Sequence, residues 1–382
     1  MLNYDLTPEQ EAMRRTIREF AEEVIKPVRH TLDEKEEFSY DLTAKMGELG
    51  LFGMTVNPEY AGLGVDYLTY VIAVEELARV DASQAATVAA ENSLGIGPIY
   101  HFGSEEQKRK YLPDLCAGKK LWGFGLTEAE AGSDAGSSKT RAELKNGKWV
   151  INGSKIFITN AATKITAGVT VQAVTGTKDD RKEISCIIVE AGTPGFTAKT
   201  MHHKMVWRAS NTSELYFDNV TVPEENLLGR KGAGFQQMLQ TLDSGRLGIG
   251  AMGLGGAQGA YEAALEYAKQ RKTFGLPIIK HQAIAFKLAD MAMEIEAARN
   301  LLYKACWLKD QGRPFAKEAS MAKLYCSEVM GRVVDQAVQI HGGYGLMEEY
   351  PVAKFYRDHK LLEIGEGSSE VQRIVISRHL GA

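Results

Sequence analysis

The run Ile364-Gly365-Glu366-Gly367-Ser368-Ser369-Glu370 sets one carboxylate between two glycines. It lies in a loop between a helix-like stretch, Val352 to Glu363, and an apolar-periodic one, Val371 to Leu380. Glycines remove the side chains that would hold a ligand at a distance. A carboxylate buried against that ligand has its pKa raised toward the working pH, which suits it to proton abstraction. Taken alone, such a run is more often a glycine-flanked turn with a solvated acid, so the rest of the chain must decide.

Four further segments offer ligand chemistry. Phe124-Gly125-Leu126-Thr127-Glu128-Ala129-Glu130-Ala131-Gly132-Ser133-Asp134 reads as a strand ending in a loop of backbone N–H groups and hydroxyls, suited to a polar ligand edge or a phosphate. Lys155-Ile156-Phe157-Ile158-Thr159-Asn160 reads as a strand with Phe157 and Thr159 on one face. Arg271 to Ile278, with Gln282 following, exposes cationic and aromatic groups where a helix ends, and Arg271 can grip a pyrophosphate by its fork. Gln339-Ile340-His341-Gly342-Gly343-Tyr344-Gly345 is a helix stop whose paired glycines allow close backbone approach. Gly248-Ile249-Gly250-Ala251-Met252-Gly253 matches the dinucleotide fingerprint, but no strand precedes it, so close helix packing is the better reading. The four cysteines form no Cys-x-x-Cys pair and the eight histidines no His-x-x-x-His, which leaves metal chemistry without support.

The elements that must position these groups fall into three blocks of a 382-residue α+β chain. Residues 1–121 read as helical, with capping boxes at Thr7-Pro8-Glu9-Gln10 and Ser104-Glu105-Glu106-Gln107, a helix from about Tyr70 to Val80, and a small-residue helix from Ala85 to Leu94. Met1 to Asp5 leads directly into the first amphipathic helix, with no signal pattern. Residues 122–228 read as a β domain, with hairpin signals at Asn146-Gly147 and Asn152-Gly153. Residues 229–382 read as a helical bundle over Gly234 to Lys269, Gln282 to Gly312 and Lys317 to Ile340. A formal charge of −4 without a basic run argues against nucleic acid, and no apolar stretch is long enough to span a bilayer. A cytoplasmic location is expected.

In this order and on this layout, five stretches together resemble the acyl-CoA dehydrogenase family along essentially the whole chain. They are Gly125-Leu126-Thr127-Glu128 through Gly132-Ser133-Asp134, Phe157-Ile158-Thr159-Asn160, Arg271 through Ile278 with Gln282, Gln339 through Gly345, and Glu366-Gly367-Ser368. The resemblance implies an N-terminal helical domain, a central β-barrel-like domain and a C-terminal four-helix bundle, with FAD between domains and across a subunit interface of a homotetramer. It implies that Phe124, Leu126, Thr127, Gly132 and Ser133 line the flavin, and that Phe157, Ile158 and Thr159 flank its ring. Arg271, Phe274, Gln282, Gln339, Gly342 and Gly343 would reach the FAD of a neighbouring subunit, and Ser368 and Glu370 would touch the cofactor too. Asp243, Arg246, Ser133 and Gly367 would contact acyl-CoA, and Glu366 would be the base that takes the α-proton while a β-hydride leaves to the flavin. Electrons would then pass to an electron-transfer flavoprotein. Some relatives carry the base near Gly245, where this chain has no carboxylate.

Departures bear on the substrate. Gly365 replaces the tyrosine of many straight-chain members, which would open volume for a short, branched or cyclic acyl group unless a side chain such as Trp207 refills it. Ala85-Ala86 stand where glutaryl-CoA enzymes carry Arg-Ser, which disfavours a distal carboxylate. Glu91 would line the acyl pocket as a structural acid; alternatively it resembles the second base of cyclic 1,4-dehydrogenases. An acyl-CoA oxidase is a second enzyme reading, which the chain's end soon after Leu380 disfavours. A non-catalytic flavin or CoA-ester binding protein is the third, opposed by Glu366 and Arg246.

Overall fold

The computed structural model describes residues 5–381; Met1–Tyr4 of the expected lead-in, and Ala382, lie outside the described residues. The first block is helical: α1 Pro8–Phe20, α2 Arg29–Lys35, α3 Tyr40–Glu48, α4 Tyr67–Ala78, α5 Ala82–Ala90, α6 Gly97–Phe102 and α7 Glu105–Cys116. Both capping boxes form. At the first, Thr7 Oγ1 accepts the Gln10 N–H at 3.2 Å while Gln10 Oε1 accepts the Thr7 N–H at 3.0 Å. Helix α4 is buried from Thr69 to Ala78, so it is a central rather than a surface helix. The single helix expected from Ala85 to Leu94 is instead split, because α5 gives way at Glu91–Ile96 to a wider π-helical turn. Such turns re-aim the side chains that follow them.

The second block is one eight-stranded sheet in the order β6-β7-β3-β2-β4-β5-β8, with β1 pairing parallel to β4. Its strands are β1 Leu121–Gly125, β2 Arg141–Lys145, β3 Lys148–Thr159, β4 Thr166–Lys178, β5 Arg181–Glu190, β6 Phe196–Thr200, β7 Thr212–Pro223 and β8 Leu227–Leu228. Asn146-Gly147 makes the expected hairpin, with φ of 52° and 73°. Asn152-Gly153 does not. Strand β3 runs through it, pairing with β2 on one edge and β7 on the other. Gly153, at φ 147°, sits at a bulge where a Cβ would lie 2.5 Å from Thr140 Oγ1. Two ladders of backbone hydrogen bonds override one local turn preference.

The third block begins with α8, Gly234–Gln270, whose 37 residues make a rod of about 55 Å. A two-stranded hairpin follows (β9 Lys272–Thr273, β10 Leu276–Pro277), then α9 Gln282–Asp310, α10 Ala316–His341, α11 Pro351–Ile364 and α12 Ser369–His379. The Gly248–Gly253 fingerprint lies inside α8, and its glycines serve packing: a Cβ on Gly248 would stand 2.7 Å from the Tyr70 hydroxyl, and one on Gly253 2.9 Å from the backbone of Cys326. The three blocks meet at a buried cation. Lys354 of α11 reaches Asp358 at 2.5 Å, Asp81 at 3.6 Å and Asp33 at 3.8 Å. Asp358 in turn accepts the Trp207 N–H of the β6–β7 connection at 2.8 Å. Burial alone would depress the ammonium, but three carboxylates outweigh it and hold its pKa above the ordinary value.

Candidate active site

Helix α11 stops at Ile364 and α12 starts at Ser369 with Ser368 as its N-cap, which leaves Gly365–Gly367 as the connecting turn. Glu366 occupies the left-handed region at φ 52° and Gly367 has φ 95°. A non-glycine residue there is strained, so surrounding contacts must hold it. Gln372 Nε2 donates to the carbonyls of both Glu366 (3.2 Å) and Gly367 (2.9 Å), and Lys323 Nζ donates to Gly367 O at 2.7 Å. The Glu366 carboxylate points at α8. Its Oε2 is buried without a hydrogen-bond partner, and a Cβ on Gly245 would lie 2.0 Å from it. Gly245 is therefore required by the carboxylate it faces. Burial pushes the Glu366 pKa up to about 7, opposed by the positive charges of Lys323 and Arg246.

Around this carboxylate stand residues from three elements. Arg246 of α8, 4% exposed, bonds Asp243 Oδ1 at 2.5 Å and Ser320 Oγ at 3.3 Å, and its Nε has no partner. Tyr70 of α4 wedges its ring between α5 and α8, with its hydroxyl 3.4 Å from Ala89 O. A Cβ on Gly365 would meet Leu361 Cδ2 at 3.0 Å and Leu361 O at 3.3 Å. So the volume expected beside Gly365 is bounded at once by Leu361. Trp207, the side chain expected to refill it, is tied to Asp358 through its N–H and, at 3.1 Å, its indole Nε1.

Glu91, expected beside the acyl pocket as a structural acid, is bonded to neighbouring elements. It is fully buried, and its Oε2 accepts the Trp122 N–H at 3.0 Å and Asn160 Nδ2 at 3.2 Å. It thus clips the turn after α5 to β1 and to the end of β3. It stands at the junction of α5 and the π-helical turn. Burial raises its pKa to about 8. A carboxyl raised in the folded state contributes stability that is full below its unfolded value near 4.5 and lost as the pH climbs through 8. Glu91→Gln keeps an acceptor for both N–H groups and does not titrate. Its melting temperature should therefore rise relative to wild type between pH 5 and pH 8, with saturated acyl-CoA turnover unchanged; thermal scans at the two pH values and steady-state kinetics check both.

The loop after β1 is built by a residue the sequence reading passed over. Lys155 of β3 is buried and its Nζ donates to Leu126 O (3.0 Å), Glu128 Oε1 (2.8 Å) and Ser138 Oγ (3.2 Å). Glu128 also accepts from the Lys139 and Thr140 N–H groups and the Ser138 hydroxyl. Against burial, Lys155 and these donors hold Glu128 at about 2. Its signal was a lysine at the inward register of Trp149 and Ile151. Around this anchor Leu126 and Thr127 are half-buried and Gly132 and Ser133 exposed, while Phe124 is 7% exposed and joins the helical core. Phe157 stands 61% exposed at φ 62°, whereas Ile158 is 3% exposed in the sheet core and can offer a ligand only its backbone. Lys155→Met would leave Glu128 buried and under-satisfied, a loss of about 3–5 kcal/mol. The purified variant is expected to melt earlier and lose flavin absorbance on gel filtration.

The other expected cofactor residues lie elsewhere. Arg271, Gly342 and Gly343 line a cleft of 780 Å³ with Thr273, His281 and Tyr344, at the far end of α8. Arg271 lies over the Tyr344 ring at 5.7 Å, Phe274 is 96% exposed, and Gln282 and Gln339 are exposed beside them. Glu370 lines a second, charged cleft of 750 Å³ between α9, α10, α11 and α12. Arg246 and Arg271 are separated by about 37 Å of helix, so the Arg271 cleft and the Glu366 loop lie far apart in one chain. Among the described residues no cluster of histidine, cysteine or acids could hold a metal, and no helix is long and apolar enough to cross a membrane.

Known proteins share this arrangement. Residues 7–119 match the acyl-CoA dehydrogenase N-terminal domain, 123–220 the middle domain and 232–381 the C-terminal domain. The chain is 50% identical over 380 residues to a probable acyl-CoA dehydrogenase of Bacillus subtilis, covering 99% of this chain and all of that one. It is 45% identical to a short-chain specific acyl-CoA dehydrogenase of Clostridium acetobutylicum, over 98% of this chain and 99% of that one. The solved butyryl-CoA dehydrogenase of Megasphaera elsdenii superimposes with a TM-score of 0.96 at 44% identity, covering 100% of both chains.

Proposed function

The chain belongs to the acyl-CoA dehydrogenase family, and from that premise we propose that it oxidises a short-chain acyl-CoA to the trans-2-enoyl-CoA with Glu366 as the base. The observation that carries this reading is the buried, unpartnered Glu366 Oε2 facing Gly245, with a pKa near 7. A carboxylate so placed is basic enough to take a proton and has no competing partner. An α-proton is still far too weakly acidic unless the enolate oxygen is stabilised as it forms. The Glu366 N–H has no acceptor among the described residues and is available to the thioester carbonyl.

Members of this family bind FAD, and the residues here fit it. An exposed Phe157 ring on strained backbone, the open Gly132 and the hydroxyls of Thr127 and Ser133 suit a planar, phosphorylated ligand. Leu126, Thr127, Gly132, Ser133, Phe157 and Thr159 would hold the flavin end, with Ser368 and Glu370 near the base. The Arg271 cleft, with Phe274, Gln282, Gln339 and Gly343, would hold the pyrophosphate end of a neighbouring subunit's FAD. Bound FAD supplies the hydride acceptor. The chain's own part is to orient the thioester, to exclude water and to receive the α-proton at Glu366. Asp243, Arg246 and Gly367 would steer the CoA ester.

The distance along α8 between the two ligand-binding ends supports a homotetramer that shares FAD across interfaces, as do the exposed Phe286 and Met293 of α9. An electron-transfer flavoprotein is the proposed acceptor and the cytoplasm the proposed compartment. Tyr70 beside the base, and Leu361 where a Gly365 side chain would begin, favour a small straight acyl group over a bulky one. Buried Ala85 and Ala86 offer no cation to a distal carboxylate. Anaerobic flavin bleaching across straight, branched, cyclic and dicarboxylic acyl-CoAs tests the reading. Butyryl-CoA should bleach fastest and glutaryl-CoA least, and a protein that cannot take up FAD would sink the proposal.

A further inference from the structure

Lys323 is a buried lysine on the core face of α10, between Ala319, Ala322 and Cys326, with a relative exposure of 0%. A cation there needs compensation. Its ammonium donates to Gly367 O, inside the left-handed turn that carries Glu366. Three residues earlier on the same face, Ser320 takes a bond from Arg246, whose other partner is Asp243. Each of the two cations near the base is thus held by a partner that is not the base. Among the described residues no ion pair reaches the Glu366 carboxylate, although both cations act on it. A cation in direct contact would pull a carboxylate down by about 1–3 units and spoil it as a base, whereas no cation at all would leave it protonated near neutrality.

We propose that Lys323 is a positioning residue for the base: its ammonium fixes the Gly367 carbonyl, and so the strained turn bearing Glu366, while that bond keeps its charge close to the carboxylate but out of contact. The proposal rests on Glu366 being the base. Every charged or titratable group around the pair enters the balance. Arg246 on α8 acts on both groups, and Tyr70 on α4 faces Glu366. Glu363 on α11 and Glu370 on α12 act on Lys323. The depressed ammonium, at about 8, agrees with a lysine that stays charged only through these carboxylates.

The test uses the FAD-loaded enzyme with Lys323→Met, Lys323→Gln and Lys323→Arg. Removing the charge should move the acid limb of the kcat/KM profile upward by about one pH unit, and Arg should keep it in place. Gln retains a donor for Gly367 O, so it reports on charge even if Met does not fold. A readout independent of turnover is the melting temperature in a cycle of Lys323→Gln with Glu366→Gln. The two changes should be coupled at pH 7.5 and additive at pH 5.5, where Glu366 is neutral. An unmoved acid limb, or equal coupling at both pH values, overturns the assignment. If neither neutral variant folds, Gln372→Leu, which removes the other donor to the turn, should lower kcat without moving the limb; a moved limb there overturns the role of charge. Full activity of Glu366→Gln would instead remove the base itself, a separable failure.

Discussion

Glu366→Gln is expected to lower kcat by roughly 10²–10⁴-fold and to abolish substrate-dependent flavin bleaching, with FAD content unchanged. Glutamine fills the same volume between Gly245 and the turn but cannot accept the α-proton. The same variant makes a stability prediction of definite sign. The Glu366 pKa is raised from 4.5 to about 7 in the folded protein. Its contribution to stability is therefore full below 4.5 and lost as the pH rises through 7. The neutral isostere escapes that loss, so it should match wild type near pH 5 and melt higher at pH 8. Stopped-flow bleaching and thermal scans at those pH values read both effects. Retained turnover would remove Glu366 from the mechanism.

Gly245→Ala should cost about 10²-fold in kcat while the fold survives. The new methyl carbon would stand 2.0 Å from Glu366 Oε2 and 3.0 Å from its Cδ, a distance no real contact adopts. The carboxylate must swing away, because the α8 backbone is fixed by its neighbours: a Cβ on Gly255 would strike Glu75 O at 2.1 Å and one on Gly259 Arg79 O at 2.1 Å. A displacement of an ångström at the reacting atom is enough for a loss of this size. In a helix interior, alanine otherwise gains about 0.5–1 kcal/mol over glycine, so the melting temperature should change little. The discriminating measurement is the double variant with Glu366→Gln. If the methyl group acts by moving the base, the second substitution adds no further loss; additive losses would mean that Gly245 matters for some other reason.

Much of the architecture was legible because its signals are local. Thr7 and Ser104 mark helix starts through hydrogen bonds closed within three residues, and Asn146-Gly147 fixes a hairpin through its own φ values. Asn152-Gly153 carries the same dipeptide and fails, because pairing on both edges of β3 is decided by strands remote in sequence. Likewise Glu91 could be placed on a helix but not aimed. Its partners Trp122 and Asn160 lie on β1 and at the end of β3, where no local pattern can place them.

The sequence by itself determined the family, the three blocks and the identity of the one glycine-flanked acid, since those depend on residue types and their spacing. Only the tertiary structure decided what would suit that acid to act as a base. Gly245 lies on another helix and clears its space, Lys323 and Gln372 hold its strained turn, and Leu361 closes the volume beside Gly365. A pKa near 7 is a property of distances and burial. Those are set where α8, α10 and α11 meet, and a chain read from one end to the other does not contain them.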